Sequence, residues 1–395
     1  MAGAARTLTV GFPRMHKEAG ERRDYLPDLI AEVAGSVREV VVEAGIGSGM
    51  GLSDDDYRKR DPRIRVGTNA EAFAQDVVVT LRSPETDEFV KLRAGATLVS
   101  MLHFSTRPAR IDRLAELGIH AIALDCIADE AGHRLVVNAR SVAWNAMEAA
   151  FDALEDTWPA MRDPAGAPVR VLVIGPGEIG RQAVEAATKF GDVERRDAYL
   201  TAGRPGVVVS AVGRNITANE ALMRRLMAAT DLLADASQRD DTRAPLVPNA
   251  WLADLPAHAV VCDMVVDPYL TGVNPPTVRS IEGIPRGSLD KYRFSPADPD
   301  WCDTIPEGIP TTNRRTTVTC YSWPGVRPYE CMELYGWQLT PLLHLLLDRG
   351  GAEGLRDDGS YHERALCRAT LRRFFDRRAY SGEGGGGPLS TFAAS

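Results

Sequence analysis

Val169-Arg170-Val171-Leu172-Val173-Ile174-Gly175-Pro176-Gly177-Glu178-Ile179-Gly180 is the stretch that decides the fold of this chain. Its first six residues are mainly apolar and β-branched and read as a buried strand. The glycines follow without a break, and Ile179, Ala183, Ala186, Ala187 and Phe190 then recur at helical spacing. Strand, glycine turn and helix in that order open a dinucleotide-binding βαβ unit. The first glycine allows the tight turn, the second lets a pyrophosphate approach the backbone, and the third lets helix and strand pack closely. Unpaired N–H groups and the positive end of the helix dipole supply the attraction. Gly175, Gly177, Glu178, Ile179 and Gly180 are the candidate cofactor contacts, against the plainer reading of a tight βα turn without a ligand.

Outward from this turn, Val207–Val212 reads as the next strand, followed by a helix near Ala218–Met227 and strands near Asp231–Ala236 and Ala259–Val266. The end of the second strand in such a unit meets the adenosine ribose, where an acid selects NAD and an arginine accommodates the 2′-phosphate of NADP. Here the strand ends Ala211-Val212-Gly213-Arg214-Asn215 without an acid. Arg214 therefore tilts the expected cofactor toward NADP over NAD, unless it is simply a solvated surface arginine. Residues 268–317 are rich in Pro, Gly and charge and lack periodicity, which suggests a functional loop or lid.

Upstream, short apolar runs alternate with helical patterns: Leu8–Phe12, a helix near Pro27–Ala34, Val40–Glu43, Val77–Leu81, Thr97–Leu102, a helix near Ala109–Leu117, and Ala121–Leu124. This alternation points to a second parallel sheet. Residues 140–158 read as one long helix that bridges two domains. Past the loop come a strand at Thr317–Tyr321 and helices near Glu330–Leu347 and Glu363–Asp376, and the glycine-rich tail 382–395 reads as disordered. A second glycine-rich stretch, Gly45-Ile46-Gly47-Ser48-Gly49-Met50-Gly51, follows a strand but opens no long helix. It reads as a flexible turn, with a nucleotide site as the alternative.

A chain of 395 residues exceeds one ordinary core, so two domains are expected. Composition is globular, with 44% hydrophobic and 25% charged residues, and the net charge of −8 comes without a polybasic run. That argues against nucleic acid and for a small-molecule partner. No secretory signal pattern and no apolar run of membrane-spanning length is present, so a cytoplasmic, membrane-free protein is expected. The six cysteines sit far apart with no zinc-like spacing, which reads as reduced and structural, with no metal site. His103 ends an apolar run and would sit at a strand's C-terminal tip, where open α/β sheets bind ligands. It is a candidate acid or base, or else merely caps the strand.

Taken in order, these segments resemble the alanine dehydrogenase and transhydrogenase superfamily, which includes saccharopine dehydrogenase and carboxyethyl-ornithine synthase. The resemblance rests on Val10-Gly11-Phe12-Pro13, Arg22-Arg23-Asp24-Tyr25-Leu26-Pro27, Val42-Glu43-Ala44-Gly45 with Ser53-Asp54 and Tyr57, Asp76–Pro84, Leu102-His103, Asp263-Met264-Val265-Val266-Asp267 and Trp323–Pro328. It implies an α/β chain of two Rossmann-like domains with parallel sheets and an interdomain cleft. The substrate domain would be residues 1–140 plus 318–381, and the dinucleotide domain 141–317. It further implies an NAD(P)-dependent oxidoreductase and a homo-oligomer. By matching position, Arg22 would hold the substrate carboxylate, with Arg23 as the fallback if the turn slips by one. His103 would exchange a proton with the amine or imine, Asp267 would lie near the nicotinamide, and Ser141 would touch the same side of the cofactor.

One departure stands out. Arg82 occupies the place of the family lysine, and a guanidinium stays protonated at any working pH. It binds anions but does not shuttle protons. Two fixed cations, Arg22 and Arg82, suit a substrate with more than one carboxylate, such as an opine-like secondary amine made by imine reduction. The alternatives are a cofactor-binding homologue that has lost its chemistry and a component that passes hydride to a partner chain.

Overall fold

A computed structural model describes residues 7–14, 19–238 and 244–380; the tail reading at 382–395 lies outside them. Strands β1 (Thr9–Phe12), β2 (Glu39–Glu43), β3 (Ile64–Gly67), β4 (Val77–Arg82), β5 (Thr97–Met101) and β6 (His120–Ala123) alternate with helices α1 (Pro27–Ala34), α2 (Asp54–Arg58), α3 (Asn69–Phe73) and α4 (Pro108–Glu116). Helix α5 (Ala139–Thr157) follows. Next come β7 (Val169–Ile174), α6 (Glu178–Ala187), α7 (Val193–Thr201), β8 (Val207–Val212), α8 (Arg214–Thr217), α9 (Glu220–Met227), β9 (Leu232–Asp235), β10 (Val260–Asp263), β11 (Arg293–Phe294) and β12 (Thr316–Thr319). Helices α10 (Pro328–Asp348), α11 (Tyr361–Arg368) and α12 (Leu371–Tyr380) close the chain.

The described chain forms two compact units, one of residues 7–14, 21–138 and 328–380, the other of residues 19–20 and 139–327. In the first, six parallel strands take the order β3-β2-β1-β4-β5-β6. The order reverses between β1 and β4, the switch point of a doubly wound sheet. Val40, Val41, Val42, Val77, Val78 and Val79 are all buried, as strands covered on both faces must be. The second sheet runs β8-β7-β9-β10-β12-β11, parallel except for the two-residue β11, and reverses between β7 and β9. Among the described residues, no helix is long and apolar enough to cross a membrane.

Several expectations change on this map. Strand β12 pairs in parallel with β10, and Trp323 donates from Nε1 to the carbonyl of Asp263 at 2.9 Å. Residues 318–327 therefore belong to the second unit, because the sheet needs them as its fifth parallel strand, and the chain returns to the first unit ten residues later than the sequence suggested. The expected helix at 363–376 is two helices. The break at Ala369-Thr370 lets Ala123 donate its N–H to Ala369 and lets Thr370 bridge Ile122, which covers the outer edge of β6.

Residues 268–317 form an anchored layer, contrary to the lid expected. Ile281, Ile284, Phe294 and Trp301 are buried in one cluster with Leu172, Leu233 and Val261 of the sheet. Trp301 donates from Nε1 to the carbonyl of Gly283, and the Tyr269 hydroxyl accepts from the Gly283 N–H and donates to Ile284. Low regularity here reflects irregular backbone over a packed face. Replacing the fully buried Trp301 by alanine should therefore cost roughly 3–5 kcal/mol. A denaturant melt of Trp301→Ala checks this, and a loss below about 1 kcal/mol would restore the picture of a loose flap.

Candidate active site

The first unit assembles its candidate residues at the C-terminal edge of its sheet, in the loops after β1, β4 and β5. Glu21 is buried, and its Oε1 accepts the backbone N–H groups of Arg22 and Arg23, both at 3.0 Å. The Arg23 guanidinium closes on the same carboxylate, Nε to Oε1 at 2.9 Å and Nη2 to Oε2 at 2.6 Å, with 4% of its surface exposed. Burial alone would raise the Glu21 pKa, but the hydrogen bonds and charge of Arg23, with help from Arg82, hold it below the usual range. Arg23 is thus committed to a structural pair, whereas the side chain of Arg22 is exposed.

The second glycine-rich stretch has its use here. Gly45, Gly47 and Gly51 adopt φ of +80°, +78° and +78°, and a Cβ on Gly49 would lie 2.8 Å from the Arg22 Cα. Asp24 accepts the Gly47 N–H at 2.9 Å and Asp54 the Gly45 N–H at 2.7 Å. The stretch is a close-packed turn that clamps the Arg22 backbone.

Arg82 ends β4 and is paired in register with Met101 of β5, so it stands beside the tip that leads into His103. His103 takes a left-handed φ of 51°, uncommon without glycine, and the strain is met by a partner the sequence did not reveal. Asp125, just past β6, accepts from the backbone N–H of Leu102 at 3.0 Å and of His103 at 3.2 Å through Oδ1. Its Oδ2 stands 3.4 Å from His103 Nδ1. Burial works against this carboxylate, yet the hydrogen bond and charge of His103 lower its pKa. A proton on Nδ1 facing Asp125 leaves Nε2 as the nitrogen suited to exchange with a ligand.

In the second unit, Gly175 has φ +87°, and a Cβ there would lie 2.6 Å from the Ser237 Cα. A Cβ on Gly180 would sit 2.0 Å from the Gly175 carbonyl oxygen, while nothing lies within 4 Å of one on Gly177. Helix α6 has Gly177 as its N-cap with no side-chain cap, so no side chain occupies its first N–H groups. Those features fit a pyrophosphate; Glu178 in the first turn is the one group there that opposes an anion. Arg214 is exposed just past β8, the strand beside β7. Ser141 lies in the first turn of α5, next to Arg140, whose guanidinium reaches Glu185 of α6 at 3.8 Å.

Asp267 follows β10 on a loop held from below. Asp263 is buried at 3% exposure, and its Oδ1 accepts the N–H groups of Val265 and Val266, both at 2.9 Å. That grip holds Val266 at a left-handed φ of 51°, costly for a β-branched residue. Asp235 is the register partner of Asp263 on β9 and is also fully buried.

With this geometry in view, residues 12–141 match the family model described as alanine dehydrogenase/PNT, N-terminal domain. The chain is similar to members of the alanine dehydrogenase and transhydrogenase superfamily. An alanine dehydrogenase of Halomonas elongata is 25% identical over 287 residues, 66% of this chain and 73% of that one. An NAD(P) transhydrogenase subunit alpha of Cereibacter sphaeroides is 26% identical over 364 residues, 86% of this chain and 65% of the subunit. A solved L-alanine dehydrogenase shares the fold with TM-score 0.68 at 20% identity, across 94% of this chain and 99% of that one. Members of the superfamily thus span both units seen here.

Burial first, and then the neighbouring Asp235, push the Asp263 carboxyl up to about 7. Unfolded, it would titrate near 3.8, so the unfolded chain loses this proton first as pH rises. The stabilisation from keeping the proton is full below about pH 4 and is lost progressively up to about pH 7, on the order of 4 kcal/mol in all. Asp263→Asn keeps the accepting Oδ1 and removes the titration. Melts at pH 4.5, 6 and 8 should show the variant gaining on the parent chain as pH rises, and a constant difference would refute the assignment.

Proposed function

We propose that this chain is an NAD(P)-dependent oxidoreductase acting on the CH–NH2 or CH–NH group of an amino acid or an opine-like secondary amine. The observation that carries the reading is the His103–Asp125 pair beside two arginine-bearing loops at the edge of the first sheet, in a chain whose second unit carries the glycine turn. Relatives bearing the name alanine dehydrogenase support the amino-acid half of the reading, and relatives bearing the name NAD(P) transhydrogenase support the cofactor half.

The nicotinamide, when bound, supplies or accepts a hydride at C4. Arg22 binds the substrate carboxylate, because its planar fork suits a planar anion. His103 gives a proton to the substrate nitrogen as hydride reaches the adjacent carbon, and takes it back in the reverse direction. Asp125 positions the ring of His103. Arg82 contributes fixed positive charge and, being an arginine, leaves the proton work to His103; Asp267, in the second unit, would polarise water near the nicotinamide. The backbone at Gly175, Gly177, Glu178, Ile179 and Gly180 cradles the pyrophosphate, Arg214 favours the 2′-phosphate of NADP, and Ser141 touches the nicotinamide side. Arg22 rather than Arg23 is assigned to the substrate, since Arg23 is bound to Glu21.

Assays of the purified chain with NADPH and NADH across keto acids, with ammonia or amino acids as the amine, test the reading. Turnover should favour NADPH and an amino acid as the amine; clean turnover of pyruvate plus ammonia alone would sink the opine assignment. His103→Gln should lower kcat by about 100-fold or more. Asp125→Asn should lower kcat by less, with KM nearly unchanged, and an unaltered kcat would remove Asp125 from the mechanism. A second reading, a cofactor-binding homologue without turnover, is favoured by Arg82 alone; NADPH binding with no turnover over the whole panel would select it.

Gly180→Ala sets a backbone clash at the turn itself. It should weaken cofactor binding at least tenfold by fluorescence titration, and an unchanged affinity would mean the turn holds no pyrophosphate.

A further inference from the structure

Beyond Arg22, Arg82 and His103, the edge of the first sheet carries cationic groups that the reading above leaves without work. The segment leaving His103 reads Phe104-Ser105-Thr106-Arg107-Pro108-Ala109-Arg110, and it folds back over the tip of β5 as the entry to α4. Arg110 is half-buried, and its Nη1 reaches back to the carbonyl of Leu102 at a long 3.4 Å. That contact brings it to the residue just before His103. Arg82 meets the same tip from the other side through its register pairing with Met101. The Arg110 Nε is buried with no hydrogen-bond partner among the described residues.

The Arg110 guanidinium thus reaches residue 102, the Arg82 backbone pairs beside residue 101 and its charge is felt by Arg110, and Arg107 is exposed one turn before Arg110. Carboxylates facing Arg110 are Glu85, past β4, and Asp125, past β6. Asp125 is already engaged by His103 and by two backbone N–H groups, and Glu85 is the other carboxylate whose charge bears on Arg110. Burial, then Arg107, then Arg82 all disfavour the charge on Arg110. A buried donor next to like charges lacks its natural complement, and an anion supplies one.

We propose that Arg110, with Arg107 beside it and Arg82 across the β5 tip, forms a second anion subsite that binds a carboxylate at the far end of the substrate. This rests on the first unit being the substrate-binding half. It makes the substrate, or the opine product, at least dicarboxylic, with one carboxylate on Arg22 and the other on the Arg110 group. It also gives Arg82 a purpose: at this place a permanent cation is of more use than a proton carrier.

Calorimetric titration of the full chain with glutarate, succinate, butyrate and inorganic phosphate tests the proposal, in the parent, Arg110→Gln and Arg107→Gln. In the parent, one or other dicarboxylate should bind at least tenfold tighter than butyrate, and the preferred length reports the spacing of the two subsites. Arg110→Gln should abolish that advantage while leaving butyrate and NADPH affinity unchanged, and Arg107→Gln should reduce it in part. Should Arg110→Gln fail to fold, the partial loss in Arg107→Gln decides. Equal affinity for dicarboxylates and butyrate in the parent overturns the proposal, as does an advantage that survives in both variants. Phosphate binding tighter than either dicarboxylate, and dependent on Arg110, would overturn it in favour of a phosphorylated ligand. An Arg110-dependent preference with no turnover of any substrate would leave the subsite standing and count against the oxidoreductase reading alone.

Discussion

A single arrangement recurs in three of the loops that carry candidate residues: one oxygen of a buried or nearly buried carboxylate accepts two consecutive backbone N–H groups. Glu21 does so for Arg22 and Arg23, Asp125 for Leu102 and His103, and Asp263 for Val265 and Val266. Glu21 and Asp125 accept as ionised groups, for which such hydrogen bonds are worth on the order of 1.5–3 kcal/mol each, whereas burial favours the protonated, neutral form of Asp263; each fork fixes two successive peptide planes. That is enough to hold His103 and Val266 in left-handed backbone that neither would choose. The loops that follow these strands are therefore rigid where loops are ordinarily loose, and the rest of the site inherits its geometry from them.

Parallel pairing explains why those forks gather. A parallel strand is followed by a crossover, so every strand of such a sheet ends on the same edge. Arg22, Arg82, His103, Arg110 and Asp125 are far apart in sequence, yet each sits at a strand end, in a loop or in a helix's first turn at that edge of the first sheet. The second sheet repeats the logic with Gly175, Arg214 and Asp267. The two carboxyl groups at the ends of β9 and β10 lie in one register row with Ile174 and Thr319, which is why burial and like charge act together on Asp263.

Most of this frame was readable before any coordinates. Strands such as Val77–Arg82 and Val169–Ile174 are near-continuous apolar runs, and the glycine turn sits between strand and helix as its motif requires. What escaped was local order without an apolar signature. Strand β3, Ile64-Arg65-Val66-Gly67, is short and charged, and it is supported by Arg65 bonding Glu39 and Glu71. Helix α7 has no buried residue and hence no periodicity to read. Residues 268–317 concealed a packed layer because its anchors, Trp301 and Ile281 among them, are spaced by no regular period. Within the candidate site, Arg22, Arg82 and His103 came from resemblance and position, whereas Asp125 lies 22 residues from His103 and becomes its neighbour only through the pairing of β5 with β6. Arg110 carries no sequence signal of its own, and its buried Nε is what distinguishes it.

The arginine that ends β4 has one more consequence. A primary amine at that strand tip could condense with a carbonyl compound, whereas a guanidinium resonance-stabilised as a cation has no lone pair to offer at working pH. An electrophilic anion meeting Arg82 would find charge without nucleophilicity, so that tip can attract it without bonding to it covalently.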